Sequence, residues 1–202
     1  MFNKDILIYV AHGALWTAFG ITRWLTRGTP PEPTQEPIPS AAGVQEEQTA
    51  RFSRTVLVIH MLAFGAMYYG IGTTVFTGQV PTWFIGQRLV GAAVIAIAAA
   101  LMCWAVASFQ SWRFRAKLDQ GHQLTTDGPF GLIRHPIYMG MNLLALGTAI
   151  WIPSIPVWIG FVLMAIGGDI RARSEEVLLR RAFGAAYTNY CAHTRRFIPG
   201  IY

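Results

Sequence analysis

The chain has 202 residues, of which 53% are hydrophobic and only 13% are charged, and its mean hydropathy is +0.38. Soluble domains normally contain about 25% charged residues, so this composition argues against an ordinary soluble domain and favours a bundle of membrane helices. The net charge of +6 comes from basic residues that lie beside apolar runs. That placement suits anionic lipid headgroups and argues against a nucleic-acid partner.

Two apolar runs flank a polar segment in the N-terminal part of the chain. A hydrocarbon core about 30 Å thick takes roughly 20 residues of helix, and residues 6–25 meet that length. Because Asp5 follows Lys4 at once and no small-residue cleavage site ends the run, we expect a retained span rather than a signal peptide. Residues 28–50, rich in Pro, Glu and Gln, predict a mobile linker, and residues 55–76 predict the second span.

Three further spans are predicted in the rest of the chain. Residues 85–109 predict the third span, whose Ala- and Gly-containing face could pack within or between subunits. After a polar, Gly-rich stretch, residues 137–151 and 155–170 are each short for a span and predict a helical hairpin. The sequence therefore predicts an all-α integral membrane bundle of about five transmembrane helices, with residues 1–202 forming a single membrane domain. The oligomeric state stays open.

Basic residues predict how the bundle is oriented. They bracket the linker and follow the third and fifth spans, at Arg23, Arg27, Arg51, Arg54, Arg113, Arg115, Lys117, Arg171, Arg173, Arg180 and Arg181. The loop between the second and third spans has no charge before Arg88. Because positive charge is concentrated in cytoplasmic loops, we expect an outside N-terminus and a cytoplasmic C-terminus. Two chemistry-bearing segments, residues 121–138 and 171–202, then share the cytoplasmic face.

The first of these segments, GHQLTTDGPFGLIRHPIY, has the features of a ligand site. Glycines such as Gly128 allow tight turns and close approach of the backbone to a ligand. Arg134 and His135 precede a helix that we expect to begin near Pro136, and a helix N-terminus beside an arginine attracts an anionic group such as a carboxylate. The alternative is that Arg134 and His135 only anchor the span among headgroups. The density of Gly, Asp, Arg, His and Tyr favours the ligand site.

The second segment begins where the fifth span ends. Arg171 and Glu175 are i,i+4 neighbours on a helix, and ordinary surface ion pairs of this kind contribute little. We accept that interpretation for Arg173, Arg180 and Arg181. Arg171 and Glu175 differ because they lie where the helix leaves the bilayer, and ionisable groups at membrane depth are functional candidates.

Four motifs in these segments resemble those of the isoprenylcysteine carboxyl methyltransferase family of membrane methyltransferases, and of the related phospholipid N-methyltransferases. The motifs are RHPxYxG, EE, FGxxYxxY and RRFIPxxY, in that order, within GPFGLIRHPIYMG and RSEEVLLRRAFGAAYTNYCAHTRRFIPGIY. The resemblance covers roughly residues 121–202, whereas the first three spans match only in hydrophobicity. It implies that S-adenosylmethionine binds at the cytoplasmic end of the bundle, without a Rossmann domain. We expect a multi-pass protein of a bacterial inner membrane.

The resemblance implies a cofactor site assembled from both segments. The positions that match cofactor-binding residues are His122, Gln123, Leu124, Thr125, Gly128, Arg134, His135, Tyr138, Glu176, Tyr187 and Tyr190. Among them, Arg134 and His135 would hold the carboxylate end of S-adenosylmethionine. Glu176 would contact its amino group or its ribose hydroxyls, and the C-terminal tyrosines would close the pocket over the adenosine.

The catalytic residues implied by the resemblance are Arg171 and Glu175, which match an arginine and a glutamate near the reacting methyl group. Methyl transfer from a sulfonium is an in-line displacement, so positioning and dehydration supply most of the acceleration. Arg171 would orient a carboxylate acceptor, whereas Glu175 would act as a base for an amine or a thiol. The lipophilic acceptor stays open among an isoprenylcysteine-type carboxylate, a phospholipid amine and a small thiol. No residue spacing implies a metal.

Two other classes of function fit part of the sequence. An NADPH-dependent membrane reductase resembling sterol reductases would share the RxPxY and P-x-x-Y patterns, but Ile137 stands where those enzymes usually have Asn. A non-catalytic membrane protein that handles haem would use His12 and His60. That class leaves the EE and RHPxY motifs unexplained, and a lone membrane histidine is more often hydrogen-bonded to a neighbouring helix.

Overall fold

The structure is a computed structural model that describes residues 4–26, 43–108 and 124–202, with the side chains of residue 4 and residues 43–54 left out. The described residues contain no β-strand. Their α-helices are α1 (Leu7–Leu25), α2 (Gly43–Thr77), α3 (Gln87–Ser108), α4 (Pro136–Trp151) and α5 (Ile155–His193). Short 3-10 helices cover Lys4–Ile6 and Gly128–Gly131. The predicted all-α class is confirmed.

Three of these helices are long and apolar enough to cross a membrane. They are α3, α5 and the part of α2 from Thr55 to Thr77. The other two are shorter, with 19 residues in α1 and 16 in α4. At about 1.5 Å per residue, α4 is about 24 Å long, less than the hydrocarbon thickness of about 30 Å. The helices are those of a membrane protein, and the count of five spans stays a prediction.

Two boundaries differ from the sequence-based expectations. Helix α2 begins at Gly43, inside the segment interpreted as a linker over residues 28–50, because the stretch after Gly43 is rich in Glu, Gln, Ala and Arg, which are strong helix formers. The part of that segment before Gly43 lies outside the described residues. Helix α5 does not end near residue 170 but continues to a bend at Gly184, whose backbone is not helical (φ 53°, ψ −119°), and then on to His193. Its i,i+4 pairs of opposite charge stabilise the continuation.

Helix α4 lies at the centre of the bundle, between α3 and α5, while α1 packs on α3 and α2 packs on α5. Small residues bring α3 and α4 together. A Cβ atom built on Gly91 would lie 2.7 Å from the carbonyl oxygen of Gly147, and one built on Gly147 would lie 2.8 Å from that of Gly91. The small-residue face of α3 therefore packs within the chain, as small residues at membrane helix interfaces do.

A buried polar cluster joins α1, α2 and α4. The Nε2 atom of His12 lies 2.9 Å from Thr148 Oγ1, its Nδ1 atom lies 3.1 Å from the Tyr68 hydroxyl, and Trp16 Nε1 donates to the same hydroxyl at 3.3 Å. Since the Thr148 hydroxyl donates to the Leu144 carbonyl at 2.7 Å, His12 Nε2 donates to Thr148 and the Tyr68 hydroxyl donates to His12 Nδ1. Both nitrogens of His12 are engaged in hydrogen bonds, the arrangement that is more common for a membrane histidine than haem ligation.

A second polar contact fastens the N-terminal segment at the opposite end of α4 from the RHP motif. Arg88 donates from Nε to Asp5 Oδ1 at 2.5 Å and from Nη2 to Asp5 Oδ2 at 3.0 Å. The indole Nε1 of Trp151 donates to Asp5 Oδ1 at 3.2 Å. These contacts tie the chain before α1 to the start of α3 and the end of α4.

Candidate functional site

Two motifs that lie far apart in the sequence meet at the start of α4. The backbone N–H of Arg134 donates to the Arg195 carbonyl at 2.8 Å, and the N–H of His135 donates to the Arg196 carbonyl at 3.1 Å. Pro136 then begins α4 as predicted, because proline has no N–H to lose at the first helical position. The RHP motif and the RRF motif therefore form one unit beside α5.

A buried ion-pair cluster, formed by Arg134, Glu176 and Arg196, lies at the centre of this unit. Arg134 Nε and Arg196 Nε both donate to Glu176 Oε1 at 3.0 Å, and Arg196 Nη2 donates to Glu176 Oε2 at 2.9 Å. Burial alone would raise the pKa of the Glu176 carboxyl, but contacts with His135, Arg196 and Arg134 hold that pKa well below its ordinary value. Glu176 is therefore ionised, and Arg134 also donates to the Thr194 carbonyl.

The cluster gives Glu176 a role that the sequence did not predict. Both carboxylate oxygens accept hydrogen bonds from guanidinium groups, and the residue is only 4% exposed. Glu176 thus positions Arg134 and Arg196 relative to α5. Its contact with an amino group or ribose hydroxyls stays a prediction.

A second group of side chains, which we call the α4–α5 triad, consists of Tyr138, Arg171 and Glu175. The Tyr138 hydroxyl donates to Glu175 Oε1 at 2.5 Å, and Arg171 Nε donates to the same oxygen at 3.3 Å. The Arg171 guanidinium carbon lies 5.7 Å from the centre of the Tyr138 ring, within cation–π range. The predicted i,i+4 pair of α5 is formed, and α4 contributes a tyrosine to it.

His135 links the ion-pair cluster with the α4–α5 triad. Its Nδ1 atom lies 3.7 Å from Glu175 Oε2, and its Nε2 atom lies 3.5 Å from Glu176 Oε1. The His135 ring stacks on the Tyr138 ring with centroids 5.7 Å apart and planes at 17°. The Nε2 atom is buried and makes no well-aligned hydrogen bond within the described part of the chain. His135 therefore lies between the two glutamates, and its Nε2 atom has only a long, poorly aligned contact with Glu176.

The C-terminal tyrosines pack the end of α5 against the loop before α4. The Tyr190 hydroxyl donates to the Phe130 carbonyl at 2.6 Å, and burial raises the pKa of Tyr190 to about 12. Tyr187 is fully buried, with its ring 5.9 Å from that of Tyr190 and beneath the Arg180 guanidinium at 5.7 Å. Among the described residues, the Tyr187 hydroxyl has no hydrogen-bond partner. Both tyrosines lie near the ion-pair cluster, whose charges act on their hydroxyls. Their role in closing a pocket over an adenosine stays a prediction.

The loop before α4 is described only in part. His122 and Gln123 lie outside the described residues, whereas Leu124 and Thr125 are half-buried. Gly128 adopts a positive φ of 61°, and a Cβ atom there would lie 3.2 Å from Ser108 Cβ. Glycine is therefore required by both the backbone and the close contact with the end of α3. Gly128 therefore forms part of a tight turn, through which the loop before α4 packs against the end of α3.

The family model for phospholipid methyltransferases matches residues 86–186, which is half of the chain. The chain belongs to the phospholipid methyltransferase family. This family includes the isoprenylcysteine carboxyl methyltransferases, so the resemblance that the motifs indicated is confirmed. No curated protein matches the chain. Membership in the family implies a membrane protein with methyltransferase activity in general.

The matched region relates the family to the site. It runs from the start of α3 to residue 186, so it contains the α4–α5 triad, Arg134, His135 and Glu176. The match ends one residue before Tyr187 and ten residues before Arg196, so the C-terminal tyrosines and Arg196 lie outside it. The family match therefore covers every residue of the triad, and the C-terminal segment completes the ion-pair cluster from outside the matched region.

Two participants in the site were missed from the sequence. Arg196 is the main partner of Glu176, and it also donates from Nη1 to Asp169 Oδ1 at 3.2 Å. The Tyr202 hydroxyl donates to the same Asp169 oxygen at 2.8 Å. Both residues belong to the RRFIPxxY motif, and their place in that motif was the feature of the sequence that could have identified them as part of the site. Their partners could not be predicted because Arg196 lies 20 residues after Glu176, beyond the end of α5, and the chain must turn back for the two to meet.

Proposed function

We propose that this protein transfers a methyl group from S-adenosylmethionine to a lipophilic acceptor. The observation that carries the proposal is the convergence of Tyr138, Arg171 and Glu175, where the apolar half of α5 gives way to its charged half. Membership in a family of methyltransferases supports the reaction, and methyltransferases of this family generally use S-adenosylmethionine. The positive-inside pattern further predicts that the site faces the cytoplasm and that the C-terminus is cytoplasmic.

The residues beside the triad fit the chemical groups of S-adenosylmethionine. Its carboxylate suits Arg134, whose guanidinium already binds a carboxylate in Glu176. Two buried polar atoms make no well-aligned hydrogen bond among the described residues and could turn to a polar ligand: His135 Nε2, which lies 3.5 Å from Glu176 Oε1, and the Tyr187 hydroxyl. The Tyr187 and Tyr190 rings offer aromatic surface for an adenine. The loop from His122 to Thr125 would add backbone contacts.

The α4–α5 triad supplies what a methyl transfer requires of a protein. When bound, the sulfonium cofactor supplies the methyl group by in-line displacement, in which the S–CH₃ bond breaks as the bond to the acceptor forms and a neutral thioether remains. Arg171 orients a carboxylate acceptor, for which no proton has to leave, and the Glu175 carboxylate holds the Arg171 guanidinium in place for this. With an amine or a thiol acceptor, the Glu175 carboxylate takes the proton. Tyr138 and Arg171 fix Glu175 Oε1 in position through their hydrogen bonds.

The position of the triad next to the apolar parts of α4 and α5 suits a lipophilic acceptor. Arg171 and Glu175 lie on the first turns after the apolar half of α5, and Tyr138 lies on the first turn of α4. An acceptor dissolved in the bilayer therefore reaches them by the shortest path, with its apolar part remaining among the helices and lipids. An isoprenylcysteine-type carboxylate, a phospholipid amine and a small lipophilic thiol all meet this condition.

Cofactor binding tests the proposal. Purified protein in detergent should bind S-adenosylhomocysteine with micromolar or tighter affinity in isothermal titration calorimetry, and NADPH should give no heat above dilution. Thr148→Val is a suitable control, because Thr148 bonds to His12 and lies about 15 Å along α4 from Tyr138. Preferential binding of NADPH would overturn the methyltransferase proposal and favour a reductase.

A further inference from the structure

Asn142 is a polar side chain of α4 that lies next to the α4–α5 triad. It follows Tyr138 by four residues, which is about one helical turn or 6 Å, so both side chains lie on the same face of α4. That face meets α5. A Cβ atom built on Gly168 would lie 3.5 Å from Asn142 Oδ1 and 3.7 Å from Tyr138 Cβ. Since Gly168 precedes Arg171 by three residues, Asn142 lies beside the face of α5 that carries Arg171.

The side-chain oxygen of Asn142 is buried and has no hydrogen-bond partner in the part of the chain that the structure describes. Four other side chains among the described residues also carry a buried atom without a partner: His135 and Tyr187 in the site itself, and Ser154 and Trp158 at the start of α5, far from the triad. Two polar side chains elsewhere in the bundle show the usual arrangement. Thr148 on the same helix bonds to His12 and Leu144, and Gln87 on α3 donates to the carbonyls of Pro81 and Trp151. An unsatisfied oxygen in an apolar bundle is costly, because neither water nor lipid compensates for it. An oxygen left unsatisfied next to a reacting centre is a candidate ligand contact.

The position of Asn142 decides which ligand it contacts. The proposed cofactor contacts lie on one side of the triad. Arg134 and His135 come before Tyr138 in the chain, and Glu176 lies in the charged half of α5. Asn142 and Gly168 lie on the other side of Tyr138 and Arg171, towards the apolar centre of both helices. An acceptor that reaches the triad from the bilayer passes this side. A cofactor held by the ion-pair cluster does not.

We propose that Asn142 binds the methyl acceptor, with its side-chain oxygen accepting a hydrogen bond from an N–H or O–H group of that molecule. The inference rests on the proposed methyl transfer, whose acceptor it narrows. An amide oxygen accepts hydrogen bonds only, so this contact selects an acceptor that carries an amine, amide or hydroxyl hydrogen near the reacting atom. A purely apolar molecule gains nothing from it and leaves the oxygen unsatisfied.

Asn142→Leu tests the proposal because leucine has a similar size and no oxygen. The acceptor is identified as the component of a total lipid extract that takes the label from methyl-labelled S-adenosylmethionine. Phosphatidylethanolamine in mixed micelles and N-acetyl-S-farnesylcysteine are tested beside the extract as defined probes. We expect KM for the labelled acceptor to rise at least about tenfold, as loss of a buried polar contact to a substrate does. The Kd of S-adenosylhomocysteine should stay within about twofold, because the ion-pair cluster is untouched.

The thermal unfolding midpoint separates this role from a structural one. Asn142→Leu removes an unsatisfied polar group, so its midpoint should equal or exceed that of the wild type. Thr148→Val is the matched control: it removes a satisfied hydroxyl from the same helix and should lower the midpoint while leaving KM unchanged. Asn142→Asp, which keeps an accepting oxygen, should retain a lower KM than Asn142→Leu. If Asn142→Leu fails to fold, Asn142→Ala replaces it.

An unchanged KM in folded Asn142→Leu, with an active wild type, would overturn the inference and leave the proposed function standing. A loss of S-adenosylhomocysteine binding in the same variant would also overturn it, because Asn142 would then belong to the cofactor side. A wild type that transfers no label to any lipid would overturn the proposed function itself. These three results are distinguishable in one set of assays.

Discussion

The Glu176→Gln substitution perturbs the ion-pair cluster with almost no change in side-chain volume. Glu176 accepts three charge-assisted hydrogen bonds, one from Arg134 and two from Arg196. A glutamine with its oxygen at the Oε1 position keeps the two bonds accepted there, but its NH₂ group then faces Arg196 Nη2 and the negative charge is gone. One bond is therefore lost and the other two are weakened, which together corresponds to the loss of about two bonds. At about 1.5 kcal/mol for each bond to a charged group, the free energy of unfolding should fall by about 3 kcal/mol. That value agrees with the cost of about 3–5 kcal/mol for breaking a buried ion pair.

Thermal unfolding in detergent measures this effect, and Glu175→Gln is the matched control. A loss of about 3 kcal/mol corresponds to a fall of about 6 °C or more in the unfolding midpoint for a chain of this size. The neighbouring Glu175 is more exposed, with 24% of its side chain accessible against 6% for Glu176, so Glu175→Gln should lower the midpoint by less. The S-adenosylhomocysteine Kd should rise in Glu176→Gln because Arg134 loses its anchor. Equal midpoints and equal Kd values for the two variants would refute the reasoning.

Three further predictions follow from the same structure. Arg171→Ala and Glu175→Gln should each lower kcat by about 100-fold or more, with S-adenosylhomocysteine binding and folding retained, in a methyl-transfer assay. Gly184 has φ 53° and ψ −119° inside α5, so Gly184→Ala should lower the free energy of unfolding by about 1–3 kcal/mol, whereas Gly13→Ala, with free space and ordinary helical backbone, should not. The pKa of Glu176 is held below its ordinary value of 4.5, so the ionised Glu176 stabilises the protein fully above pH 4.5 and this stabilisation is lost as the pH falls below 4.5. Glu176→Gln should therefore remove this part of the pH dependence of the unfolding midpoint.

Each of these predictions has a contrary result. Full activity in Arg171→Ala or Glu175→Gln would remove the triad from the catalytic site without affecting the family assignment. A Gly184→Ala variant as stable as Gly13→Ala would show that the bend in α5 carries no strain. Parallel pH curves for the wild type and Glu176→Gln below pH 4.5 would show that the ion-pair cluster does not determine acid stability.

Local features of the site could be predicted because they depend on short-range geometry. Pro136 marks the start of α4, and the spacing of Arg171 and Glu175 produces their contact on α5. The continuation of α5 to His193 could not be separated from the end of the apolar span, because hydropathy changes at residue 170 while helical structure does not. A change in polarity marks the limit of an apolar segment and not the limit of a helix.

Long-range pairing in the site could not be predicted from spacing. Arg134 and Glu176 are separated by 42 residues, and their contact depends on how α4 and α5 pack. His12 shows the same limit. Its sequence context allowed either a hydrogen bond to another helix or a haem ligand, and only the positions of Tyr68 and Thr148 decide between them. Asn142 gave no signal at all, because its importance lies in the missing hydrogen-bond partner.

Transfer of radioactivity from methyl-labelled S-adenosylmethionine to a lipid extract tests the central claim most directly. The purified wild-type protein in detergent should label an organic-soluble product, and Glu175→Gln, which keeps the ion-pair cluster and Arg171, should not. The label should depend on added lipid and disappear with excess S-adenosylhomocysteine. A wild-type protein that binds S-adenosylhomocysteine but labels no lipid, or a Glu175→Gln variant that labels as much as the wild type, would contradict the account.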